Sequence, residues 1–110
     1  MLIRYANNKI EKLCSNPRKY GIKEGLPKKI IEELEIALLV MSQMDSCQDF
    51  FKPANMPYRF ERLTNKKGLM SIRLDHKYRL TFNEINHEEK LEFIEIKGIE
   101  IEKVSNHYGD

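Results

Sequence analysis

Apolar positions recur at helical spacing in the first half of the chain and at a spacing of two in much of the second. Ile30, Ile31, Leu34, Leu38 and Met41 form one stripe of a 3.6-residue helix, with Glu32, Glu33 and Glu35 on or beside the other face. Pro27 suits the first turn of that helix, which is predicted to end near Met44. Upstream, residues 2–5 suit a short strand, Asn7 or Asn8 can cap a helix running to about Cys14, and Asn16-Pro17 stops it. Residues 20–26, with Gly21 and Gly25, read as a basic loop. Asp45 or Ser46 can cap one further turn carrying Phe50 and Phe51, closed by Pro53 and Pro57.

From Tyr58 the period becomes two. Tyr58 and Phe60 alternate with Arg59 and Glu61, then Met70, Ile72 and Leu74 with Ser71 and Arg73. Tyr78, Leu80 and Phe82 alternate with Arg79 and Thr81, giving a third strand with one apolar face. Residues 91–104 are rich in strand formers but slip phase between Phe93 and Ile94 and again at Gly98, which predicts a bulge or a break. The pattern predicts a single α+β domain over residues 1–110, with two N-terminal helices on the apolar face of a small antiparallel sheet.

Composition narrows the class. At 110 residues the chain is one domain long, and its longest apolar run, from Ile36 to Met41, is far too short to cross a bilayer. No membrane association is expected, and the N-terminus does not read as a signal peptide. Cys14 and Cys47 are not at metal-ligand spacing, so the expectation is reduced thiols in a cytoplasmic protein without metal or cofactor. The net charge of +2 conceals four blocks: +6 over residues 1–29, −4 over 30–57, +5 over 58–82 and −5 over 83–110. Two basic blocks can present a local positive field to a polyanion. Pairing of each with an acidic neighbour in the fold is the alternative.

The hairpin around Asp75-His76-Lys77 carries the chemistry. Keeping apolar residues on one side sets Leu74 opposite Tyr78, Ile72 opposite Leu80 and Met70 opposite Phe82. Arg73 then faces Arg79 on the other side, and Ser71 faces Thr81. Like charges directly opposed across a strand pair cost some tenths of a kcal/mol. Arg59 and Glu61 are expected on the same polar face, with Lys66 and Lys67 in a loop at its rim. Several guanidinium groups on one sheet face suit a phosphate. The competing reading has Glu61 and Asp75 neutralise both arginines in ordinary surface pairs. If the last strand lies beside the Arg79 strand, His107 and Tyr108 return towards this face, bringing an imidazole suited to proton transfer near neutrality.

Three segments together resemble the HigB-type toxins of the RelE/ParE superfamily. They are Tyr58-Arg59-Phe60-Glu61-Arg62-Leu63, Lys66-Lys67-Gly68-Leu69-Met70-Ser71-Ile72-Arg73 and Tyr78-Arg79-Leu80-Thr81-Phe82. The resemblance implies a RelE-like fold and a ribosome-dependent mRNA endoribonuclease that uses no metal or cofactor. It implies a type II toxin–antitoxin pair, with the 70S ribosome and A-site mRNA as targets and a HigA-like helix-turn-helix antitoxin as partner. Operator DNA would be bound only through that antitoxin. By position in the family pattern, Arg79 would stabilise the phosphate, with Arg73 assisting. Arg59, Arg62, Lys66 and Lys67 would hold RNA. His107, with Tyr108 beside it, would move protons, or Glu61 would serve as the base where relatives often carry a histidine. Two other functions fit the same fold: a ParE-like toxin that inhibits DNA gyrase without nuclease chemistry, and a non-catalytic RNA- or partner-binding module.

Overall fold

The computed structural model describes residues 1–63, 68–85 and 92–106. Strand β1 (Leu2–Tyr5) leads into helix α1 (Asn8–Ser15). The Asn7 side chain accepts the Ile10 amide at 3.0 Å, which satisfies one of the first-turn donors. Asn16 ends α1 and at once caps helix α2 (Pro17–Lys23), accepting the Lys19 amide at 3.3 Å. Here the structure corrects the expected loop over residues 20–26. Proline bars α1 from continuing, yet its fixed φ suits the first position of the next helix, so the stop signal is also a start. Gly25, at φ +75°, supplies the left-handed turn that ends this segment.

Helix α3 (Lys28–Ser42) follows Pro27 and buries Ile30, Ile31, Leu34, Ala37 and Met41. Ser46 then caps a 3₁₀ turn (Cys47–Phe51), as its sequence suggests. A second 3₁₀ segment (Pro53–Tyr58) replaces the expected start of a strand at Tyr58. Arg59 closes it in the left-handed region at φ 49°, where side chains other than glycine are rarely held. Strand β2 is therefore only Glu61–Arg62. Strands β3 (Leu69–Arg73), β4 (Tyr78–Glu84) and β5 (Gly98–Asn106) complete the sheet, with a 3₁₀ turn (Phe93–Glu95) before β5. That turn and the strand start at Gly98 account for the two slips of phase in the sequence.

The sheet order is β1-β5-β4-β3-β2. β1 runs parallel to β5, with Ile3 opposite Ile99 and Tyr5 opposite Ile101, so the sheet is mixed and not the purely antiparallel one expected. The β3–β4 register is the one deduced from the apolar alternation, down to Arg73 opposite Arg79. One core joins Ile10, Leu13, Ile30, Leu34 and Met41 of the helices to Met70, Ile72, Leu80, Phe82, Ile99 and Ile101 of the sheet. Phe60 lies in that core side, stacked on Phe50 at 4.4 Å between ring centres. With Phe60 turned inward, the next residue, Glu61, faces the opposite side of the sheet. Among the described residues, no helix is long and apolar enough to cross a membrane.

Candidate nucleic-acid interface

The face of the sheet away from the core holds the arginine pair. Leu74 donates its amide to the Tyr78 carbonyl at 2.9 Å, so the next pair along, Arg73 and Arg79, lies at a non-hydrogen-bonded position. Such positions bring opposed side chains closest, with Cα atoms about 4.5 Å apart. Arg73 is exposed, whereas the Arg79 side chain is only 16% exposed. The two stand at different depths, one anchored in the sheet surface and one reaching into solvent.

Glu61 enters this face from β2, opposite Ser71. Its Oε1 lies 3.8 Å from Arg79 Nη1 and accepts a long hydrogen bond of 3.5 Å from Ser71 Oγ. A carboxylate 55% exposed is a screened partner that an incoming phosphate can displace. Asp75 is not the counter-ion of Arg73. Its Oδ1 accepts the Lys77 and Tyr78 amides, each at 2.7 Å, and so builds the hairpin turn. Burial works against its charge, but the two amides, together with the charges of His76 and Lys29, outweigh burial and hold the carboxyl below its ordinary pKa. Among the described residues, Arg73 has no ion pair.

Beneath the guanidinium groups lies a floor of small hydroxyl side chains. Ser71 and Thr81 are opposite one another and Ser105 is opposite Arg79, and all three are buried. A floor of small residues leaves height above the sheet for a ligand, while longer cationic side chains form the wall. The Ser71–Thr81 pair was legible in the hairpin register. Ser105 was not, because its register depends on a bulge: Thr81 pairs with Lys103 but Phe82 with Ile101, leaving Glu102 as the extra residue.

The other expected site residues divide. Arg59 sits at the left-handed end of the 3₁₀ segment and not on a strand alternating with Glu61. Arg62 is opposite Met70, hence on the core side of β2, away from the arginine pair. Its guanidinium lies over the Phe93 ring, 4.4 Å from the centroid, and 3.6 Å from the buried Glu84 Oε2. Lys66, Lys67, His107 and Tyr108 lie outside the described residues. Among the described residues, no group of three or more His, Cys, Asp or Glu side chains is placed to hold a metal ion.

This arrangement can bind an anionic ester, orient it and stabilise added negative charge. It offers Arg79 as the largely buried cation, Arg73 as an exposed one and Glu61 as a displaceable carboxylate. No family model matches this chain, and neither does any curated protein or solved structure.

Proposed function

We propose that this protein is the toxin of a type II toxin–antitoxin pair, a HigB-like endoribonuclease that cuts mRNA in the ribosomal A site. The observation that carries the reading is the direct opposition of Arg73 and Arg79 on one sheet face above buried hydroxyls. Selection for folding alone disfavours that pair, and a bound phosphodiester gives a reason for it. The α+β layout is read in the same terms as RelE-like.

In the proposed reaction the 2′-oxygen of the RNA attacks the adjacent phosphorus and the 5′-oxygen leaves. The products are a 2′,3′-cyclic phosphate and a 5′-hydroxyl end. The attacking group is part of the substrate, so the protein supplies orientation, charge stabilisation and proton movement. Arg79 holds the phosphate and Arg73 follows it into the transition state. Glu61 takes the 2′-proton or yields its place beside Arg79 to the phosphate. His107 and Tyr108, assigned by resemblance, serve the leaving oxygen, and Lys66 and Lys67 hold the backbone.

Mapping of mRNA 5′ ends after induction in cells tests the proposal. New ends inside translated codons, absent with Arg79→Ala, are the expected result. Intact transcripts with damaged or undersupercoiled DNA would replace it with gyrase inhibition. Growth arrest that survives Arg79→Ala would remove the residue on which the mechanism rests.

A further inference from the structure

The bulge in β5 sets a carboxylate on the same face as the arginine pair. Along β4, Arg79, Thr81 and Asn83 alternate with core residues, so all three share the outer face. Regular alternation on β5 from Lys103, opposite Thr81, would aim residue 102 at the core. The extra residue cancels that step. Glu102 Oε2 accepts a hydrogen bond of 3.3 Å from Asn83 Nδ2, which puts its side chain on the outer face. Bulges beside functional sites re-aim side chains in this way. The neighbouring acid, Glu100, lies opposite Asn83 and is occupied by Arg4 at 3.6 Å.

Asn83 and Glu102 are both partly buried. A carboxylate only accepts, so the Asn83 amide turns its nitrogen to Glu102 and fixes the plane of the acid. Among the described residues Glu102 Oε1 has no hydrogen-bond partner, and the one enclosed side-chain oxygen without a partner is Glu84 Oε2 on the core side. The Glu102 carboxylate is thus held at one oxygen and open to solvent at the other. Asn83 lies four residues along β4 from Arg79, about 13 Å of strand, with the Thr81 hydroxyl between them. The long arginine side chain covers part of that span, and a nucleotide held by its phosphate at Arg79 covers the rest.

We infer that Glu102, oriented by Asn83, reads the base of the nucleotide whose phosphate Arg79 holds, and that it selects guanine. The inference rests on the phosphate-binding reading of the arginine pair. Guanine alone presents two adjacent donors, N1–H and the 2-amino group, to a carboxylate fork. Adenine and cytosine set a ring-nitrogen lone pair beside their amino group, and uracil flanks its single N–H with two carbonyls. Each of those three puts a lone pair against a carboxylate oxygen, and a site built around an acceptor pair rejects a partner that cannot donate to both.

The test is titration of the full-length ¹⁵N-labelled protein with the four ribonucleoside 3′-monophosphates. Guanosine 3′-monophosphate should bind at least tenfold more tightly than the other three, with saturable shifts of the Asn83 side-chain amide. Inosine 3′-monophosphate, which lacks the 2-amino group, should lose most of that advantage. Glu102→Gln keeps an acceptor for Asn83 but puts a donor into the fork, and should lower the guanosine-to-adenosine affinity ratio at least tenfold. Arg79→Ala should weaken all four and keep their order. Equal binding of the four, no binding, shifts confined to another surface, or an unchanged ratio in Glu102→Gln would overturn the inference. On programmed ribosomes, wild-type cleavage should favour guanine-containing codons, and Glu102→Gln should erase that preference. Cleavage without base preference would overturn this inference and leave the nuclease reading standing, whereas guanosine-selective binding without cleavage would do the reverse.

Discussion

Replacing Arg73 by threonine removes one of the two guanidinium groups that oppose each other across β3 and β4. For charges about 6 Å apart in a water-like dielectric, the repulsion relieved is about 0.7 kcal/mol. Glu61, 3.8 Å from Arg79, already offsets part of it. Threonine adds the strand preference of a β-branched residue and leaves Arg79 in place. The net expectation is a gain of about 0.2–1 kcal/mol, which in a domain of this size raises Tm by roughly 1–6 °C. Thermal unfolding followed by circular dichroism should show the gain at about 10 mM salt and little of the repulsive part at about 1 M, where the screening length is about 3 Å. Ribosome-dependent mRNA cleavage should fall at least tenfold in the same variant. A Tm below that of the wild type at low salt, or a gain indifferent to salt, would refute the claim that the pair is held against repulsion. A stabilised variant that still cuts mRNA at the wild-type rate would refute its purpose.

Other parts of the molecule give further expectations. Arg62→Ala leaves Glu84 buried without its cation and uncovers Phe93, and should cost about 1–3 kcal/mol in urea unfolding, reduced from the deeply buried case because Arg62 is itself 40% exposed. Glu84→Leu added to that variant should recover most of the loss. Gly21→Ala places a methyl group 2.7 Å from Ile31 Cγ1, where α2 and α3 press together, and should destabilise by about 1–3 kcal/mol. Burial pushes both thiols, Cys14 and Cys47, up to about 12, so neither should be alkylated at pH 8 until the protein is unfolded. Asp75, with its folded pKa held down, contributes stability that is fully present above the unfolded carboxylate value and lost as pH falls through the folded one. Its carboxyl resonance should titrate below the ordinary aspartate range, and a midpoint at or above that range would contradict the role of the turn amides.

Elements whose cause is local were readable in the chain. The Asn7 cap, the apolar stripe of α3, the Ser46 cap and the hairpin register each depend on a few neighbouring residues. The misread elements are those where one residue has two uses. Pro17 closes one helix and opens another, and Tyr58 and Phe60 alternate in sequence although a 3₁₀ turn separates their roles. The parallel β1–β5 pairing joins residues almost a whole chain apart and has no local signature. At the candidate site, Arg73, Arg79, Ser71 and Glu61 were brought together by alternation alone. Arg62 was assigned by the family resemblance, and the same alternation puts it behind the sheet, against Phe93 and Glu84. Ser105 could be placed only once the bulge around Glu102 was known.

The most direct test of the phosphate-binding role is cleavage of a defined mRNA on programmed 70S ribosomes by purified wild-type protein and Arg79→Ala of matched Tm. The account predicts 5′-hydroxyl and 2′,3′-cyclic phosphate ends within the A-site codon for the wild type, and at least a hundredfold less of them for the variant. Equal cleavage by both proteins, or no cleavage by either, would contradict it.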